Sequence, residues 1–152
     1  MQGVSKIILN MGKDGRLALL RFIDHVAITV ADSEASTRFY DRLFGAQVLF
    51  DHAPNGKSLV RSVMIGGGVQ LNIHQYGNGI DLVASKPTPG SVDICFRFGG
   101  TIEEAEALLK RNHVAIIEGP SPRTDNQGNP AQSVYFHDPD GNLIELMATN
   151  PA

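Results

Sequence analysis

Cysteine is nearly absent. Cys95 stands alone in 152 residues, so no intrachain disulfide can form and a reducing, cytoplasmic compartment is the natural expectation. Charge of one sign is also scarce: 13 Lys and Arg against 16 Asp and Glu leave a formal net charge of −3, which offers no general attraction to nucleic acid or to an anionic membrane. Long apolar runs are missing too. The short ones in MQGVSKIILNMGKDGRLALLRF cannot cross a bilayer, and the first is shorter than a signal-peptide core and lacks a small-residue cleavage site. The class of partner these absences leave is a small molecule.

What is present points to turns and short strands. Sixteen Gly and eight Pro accompany an ordinary 42% of hydrophobic residues, a poor composition for a helical bundle. Residues 1–21 read as an N-terminal extension, either a hairpin around Asp14–Gly15 or a free arm. Residues 22–152 read as one domain. Cys95, inside SVDICFRF, is expected to be a small buried hydrophobe outside any site.

The domain is written twice. FIDHVAITV alternates like a strand, Asp32 or Ser33 then caps the helix SEASTRFYDRLF, and Gly45 stands where a left-handed terminal residue is wanted. Ala35, Phe39 and Leu43 form its apolar stripe. Strands AQVLF, LVRSVMIG and VQLNIHQY complete module one, residues 22–84, and a linker at 85–90 follows. Module two, residues 91–148, repeats the order: strand VDICFRF, a helix opened by the capping box of Thr101 and Glu104, strand VAIIE, a long loop, and strands AQSVYFH and NLIELMA. An offset of 68 residues superposes His25 on Asp93, and one of 73 superposes Gly68 on Gly141 and Asn72 on Glu145. The expectation is an α+β fold of two tandem βαβββ modules, a curled mixed sheet around a shared cavity, each helix covering one sheet face.

Glu145 is the anomaly. It sits in LIELMA, a strand otherwise apolar, where an isolated carboxylate needs a metal, a cation or a proton. Before it, Asp138-Pro139-Asp140-Gly141 reads as a turn that fixes the register of the last strand and so the side Glu145 faces.

These stretches, IDHVAITVAD opening the first module and YFHDPDGNLIEL closing the second, resemble the vicinal oxygen chelate superfamily of glyoxalase I, extradiol dioxygenases, fosfomycin-resistance enzymes and bleomycin-binding proteins. LNIHQYG, KPTPGSVDICF and EGPSPRT resemble a branch of glyoxalase-domain-containing proteins, some labelled virulence-associated. The resemblance implies one divalent metal, Fe, Mn, Ni or Zn, held by side chains on the first and last module strands, which carries over to His25 and Glu145. His74, which faces the same way as Asn72, is the choice of third ligand, with Glu145 also the catalytic proton carrier. Asp93 stands where many relatives have histidine, and three roles stay open for it: an oxygen ligand, a partner orienting His25, or a residue of a site without metal.

Arg97 is read as pairing with Asp93 or binding an anionic substrate, and Arg123 as part of a solvated loop or a lid. His137 is assigned a structural role, and His52 and His113 solvated positions. The functional expectation is a metal-dependent enzyme, a glyoxalase I-like lyase or isomerase ahead of an extradiol-type dioxygenase, acting as a homodimer on a small molecule with adjacent oxygens. The alternative is a metal-free binding protein that takes an aromatic or antibiotic ligand between walls such as Phe96, Phe98, Tyr135 and Phe136.

Overall fold

The structure, a computed structural model, describes residue 20 and residues 22–149. The hairpin expected at Asp14–Gly15 lies outside the described residues. The chain runs β1 (His25–Val30), α1 (Ser33–Phe44), β2 (Gln47–His52), β3 (Val60–Ile65), β4 (Val69–Gln75), then β5 (Asp93–Phe98), α2 (Ile102–Arg111), β6 (Glu118–Thr124), β7 (Pro130–His137) and β8 (Leu143–Ala148). Two four-stranded mixed sheets result, ordered β1-β4-β3-β2 and β5-β8-β7-β6. In each the first strand lies parallel to the fourth and the other pairings are antiparallel.

Local chemistry sets the helix ends. Asp32 accepts bonds from the backbone N–H of Glu34 and Ala35 at 2.9 and 3.0 Å, and Gly45 closes α1 at φ 67°. Thr101 and Glu104 make the reciprocal bonds of a capping box at 3.2 and 2.8 Å. Alternation does the rest. Ile28, Val30, Leu71 and Ile73 of the first sheet, with Val134, Phe136, Ile144 and Leu146 of the second, meet both helices in one buried core. Each such side chain contributes roughly 1.5–3 kcal/mol by leaving water. Phe39 against Phe136 and Phe44 against Phe96, ring centroids 6.3 and 6.1 Å apart, bind module to module.

The internal repeat holds at residue level. His25 pairs with Gln70 and Ala27 with Asn72 in the first sheet, as Asp93 pairs with Leu143 and Cys95 with Glu145 in the second.

One segment departs from the expectation. Of VAIIE only the last residue, Glu118, is in a strand; β6 is the Glu118–Thr124 segment that otherwise reads as loop, with Pro120 and Pro122 inside it. The reason is its place at the sheet edge, where a missing N–H costs no ladder bond, helped by a register shift between Glu118 and Ser121. Arg123 therefore sits on a strand and not on a lid.

The Asp138–Gly141 turn carries more than register. Gly141, at φ 84°, donates its N–H to the Asp138 carbonyl at 3.0 Å. Asp140 Oδ1 also accepts from the Ala31 N–H at 2.8 Å, its Oδ2 from Ser36 Oγ at 3.2 Å, and Asp138 Oδ2 from Tyr40 Oη at 2.9 Å. The closing turn of module two thus grips the helix of module one.

Candidate functional site

The faces turned away from the core carry the polar chemistry. On the first sheet these are the odd positions of β1, His25, Ala27 and Thr29, and their β4 partners Gln70, Asn72 and His74. His25 is exposed, and its Nδ1 lies 2.8 Å from Asp24 Oδ1. A carboxylate only accepts, so Nδ1 carries a proton in this contact, and in the neutral ring Nε2 is the nitrogen left to ligate, the arrangement of a metal-binding imidazole held by an outer carboxylate. Asn72 Oδ1 is satisfied by Ser62 Oγ at 2.7 Å and Gln70 Nε2 at 3.1 Å.

His74 pairs with Thr29, four register steps along from His25 and Gln70. At about 3.3 Å per residue their Cα atoms stand about 13 Å apart, and side chains rising side by side from one face cannot both reach one ion across that gap. Direction along the strand was legible in the sequence; distance along it was not. The choice of His74 as the third ligand beside His25 is corrected on this ground. It lines instead a small pocket of about 210 Å³ with Thr29, Tyr76 and Val83, where burial lowers its pKa and favours neutral imidazole.

On the second sheet Glu145 lies between Cys95 of β5 and Tyr135 of β7, its direct register partners. Its Oε1 is buried and accepts no hydrogen bond. The counterpart of a satisfied asparagine in module one is therefore an orphaned carboxylate oxygen in module two. Cys95 is exposed here, against the expectation of a buried hydrophobe, because odd positions of β5 fall on the open face. Desolvation on that face, and then the charge of Glu145, push its thiol up to about 12. Burial also raises the Tyr135 phenol, with Glu145 adding to the effect and Arg123 opposing it.

Among the described residues the two arginines on this face are bonded elsewhere than to Glu145. Arg97 bonds Asp125 Oδ2 at 3.2 Å and Thr149 Oγ1 at 2.8 Å, and not Asp93, which was one of the two roles expected of it. Arg123 donates to Tyr135 Oη and to Glu118 Oε1, both at 2.8 Å, with its guanidinium 5.2 Å from the Tyr135 ring centre.

Among the described residues no three His, Cys, Asp or Glu side chains converge to hold a metal. His25 and Asp93 both stand exposed, on different sheets. The donors nevertheless suit a divalent ion: an imidazole with Nε2 available and a buried carboxylate oxygen without a partner. The aromatic walls divide. Phe136 is fully buried in the core, Tyr135 is on the open face, and Phe96 and Phe98 line a cleft of about 720 Å³ between the modules, with Phe44 and Leu108.

Fold and site together define a two-module βαβββ protein whose open sheet faces display donors at register-equivalent positions. The chain belongs to the Glyoxalase/Bleomycin resistance protein/Dioxygenase superfamily, whose pattern matches residues 22–146. It is 37% identical over 125 residues to Virulence protein STM3117 of Salmonella typhimurium, covering 82% of this chain and 81% of that one. Glyoxalase domain-containing protein RDO1 of Mycosarcoma maydis is 35% identical over 133 residues, 88% and 71% of the two chains. Among solved structures, an integron cassette protein from the mobile metagenome of V. cholerae superposes with TM-score 0.77 at 32% identity, covering 89% of this chain and all of that one.

More distant similarities are weaker. Metallothiol transferase FosB of Staphylococcus saprophyticus is 29% identical over 133 residues, 84% of this chain and 77% of that one. At the level of fold alone stand the fosfomycin resistance protein FosX of Listeria monocytogenes, solved with Mn(II) (TM-score 0.57, 23% identity, 87% and 93% covered), and the antibiotic binding protein TnmS3 of Streptomyces (0.65, 22%, 87% and 98%). No helix among the described residues is long and apolar enough to cross a membrane.

Proposed function

We propose that the protein is a metal-dependent enzyme of this superfamily, cytoplasmic and homodimeric, acting on a small molecule that offers adjacent oxygens. A glyoxalase I-like lyase or isomerase reaction is preferred to extradiol cleavage. The observation that carries the reading is the orphaned Glu145 Oε1, a buried carboxylate oxygen without a hydrogen-bond partner, beside which, among the described residues, Arg97 and Arg123 are bonded elsewhere. His25 and Glu145 are the ligands in this reading, with Asp93 at the module-two position equivalent to His25. A divalent ion bound there supplies Lewis-acid polarisation of the substrate's paired oxygens. Glu145 then serves as the proton carrier at the adjacent carbon, and Tyr135, pinned by Arg123, borders the substrate space.

Because His25 and Glu145 belong to different sheets, the reading places the complete site between two copies, the open first sheet of one facing the open second sheet of the other. The exposed Val48, Leu49 and Phe50 of β2 give such a pairing apolar area to bury.

The second reading, a metal-free binder of an aromatic ligand, is favoured by the Phe-lined cleft between the modules. Metal analysis of tag-free protein separates the two. About one first-row ion per chain, lost in His25→Ala, supports the enzyme. A metal-free protein after reconstitution with iron, manganese, nickel and zinc supports the binder.

A further inference from the structure

We propose that the small pocket at the far end of the first sheet's open face is a binding site for a single uncharged ring bearing a hydroxyl group, a phenol, with His74 and Thr29 as its polar contacts. The two residues are direct partners in the parallel β1–β4 ladder, so their side chains rise together from one face, both half-buried. Among the described residues neither side chain has a hydrogen-bond partner, and nothing offsets the burial of His74. A polar group taken from water and left unpaired costs free energy, which a bound hydroxyl recovers. Neutral imidazole offers one donor and one acceptor nitrogen, and a threonine hydroxyl gives or takes a bond. The pair can therefore meet both the hydrogen and the oxygen of a phenol.

Size and charge narrow the ligand class. The volume, about 210 Å³, falls below the roughly 300 Å³ at which sites for drug-sized molecules begin, and suits one ring. Tyr76, Ile80, Val83 and Pro87 wall the pocket, and no charged side chain among the described residues lines it. A carboxylate or an ammonium would lose its water there without gaining a counter-charge. The walls are held by the chain itself. Tyr76 donates its N–H to the Val30 carbonyl at 2.8 Å, Asn78 Nδ2 donates to the Leu59 carbonyl at 3.1 Å, and Asn78 Oδ1 accepts from the Ile80 N–H at 3.0 Å. Walls fixed in advance leave less to order on binding. The pocket lies about 13 Å along the strands from His25 on the same face, so it would seat the ring-bearing end of a molecule whose paired oxygens lie at His25. The pocket itself does not rest on the metal-site reading.

4-Fluorophenol is the probe, followed by fluorine NMR in the presence of a chelator, so that no metal contributes to the outcome. The parent protein is expected to bind it saturably. Fluorobenzene, which lacks the hydroxyl, and 4-fluorobenzoate, which brings a charge, should each bind on the order of 10-fold more weakly. His74→Phe removes both ring nitrogens and keeps a ring in place, and it should erase the preference for 4-fluorophenol over fluorobenzene. Val83→Trp narrows the pocket from an exposed position, leaving the core untouched, and should weaken both ligands. No saturable binding by the parent would overturn the site and leave the metal enzyme standing. Binding unchanged by Val83→Trp, or a preference that survives His74→Phe, would put the ring elsewhere, as in the cleft between the modules, and overturn the site as well.

Discussion

Tyr40 Oη donates to Asp138 Oδ2 at 2.9 Å, joining a helix of the first module to the closing turn of the second, 98 residues away in sequence. Both groups are buried, and the same Asp138 oxygen also accepts from Asn142 Nδ2 at 2.8 Å. Tyr40→Phe should therefore lower stability by about 1–3 kcal/mol, the cost of leaving a buried polar group short of a partner. Chemical denaturation measures it. Metal content should not change, since the contact lies on the core side of the sheets.

Glu145→Gln should abolish metal binding and leave the metal-free protein at least as stable as the parent, because it replaces a carboxylate with an unpartnered buried oxygen by a neutral group of the same shape. Elemental analysis with thermal melts in chelator provides the comparison. Retained metal in the variant would take Glu145 out of the ligand set.

A mixed dimer tests where the site is assembled. If His25 of one copy works with Glu145 of the other, mixing His25→Ala with Glu145→Gln chains creates one site with both residues intact and one with neither. Metal binding, absent in each pure variant, should return in the mixture. A site built within one chain would stay dead in both.

Acid should act through Arg61. Its guanidinium bridges Glu34 on α1 and Asp51 on β2, reaching Asp51 Oδ2 at 2.7 Å. Hydrogen bonding to Arg61 lowers both carboxyls below their ordinary values of 4.5 and 3.8. Lowered carboxyls stabilise the fold above the unfolded-state values, and that contribution is lost as pH falls through 4.5 and 3.8 toward the folded values. Arg61→Met should melt lower than the parent at pH 7, and the gap should narrow toward pH 3, as followed by melts across a pH series.

What the sequence made legible was settled by a few neighbouring residues. Asp32, Gly45 and the Thr101–Glu104 pair end their helices by local bonds, and the two repeat offsets are visible because each module keeps its own strand alternation. The less legible parts depend on contacts made at a distance or on position within a sheet. Arg97 finds Asp125 across 28 residues of sequence, and Cys95 is exposed because its face of β5 is left open. The prolines of β6 read as loop until its edge position is known. Phe136 and Tyr135 look alike as aromatic walls and differ by one step of alternation, which sends one to the core and the other to the open face.

The grip of the Asp138–Gly141 turn on α1 has a consequence for how the duplicated halves relate. By the 73-residue offset, its counterpart in module one is Ile65-Gly66-Gly67-Gly68, a bend without a single side-chain oxygen. Only one half carries the bolt and only the other supplies the socket, at Ala31, Ser36 and Tyr40. A chimera of two first halves would have no bolt, and one of two second halves no socket. The two copies of the ancestral unit have become complementary parts rather than interchangeable ones.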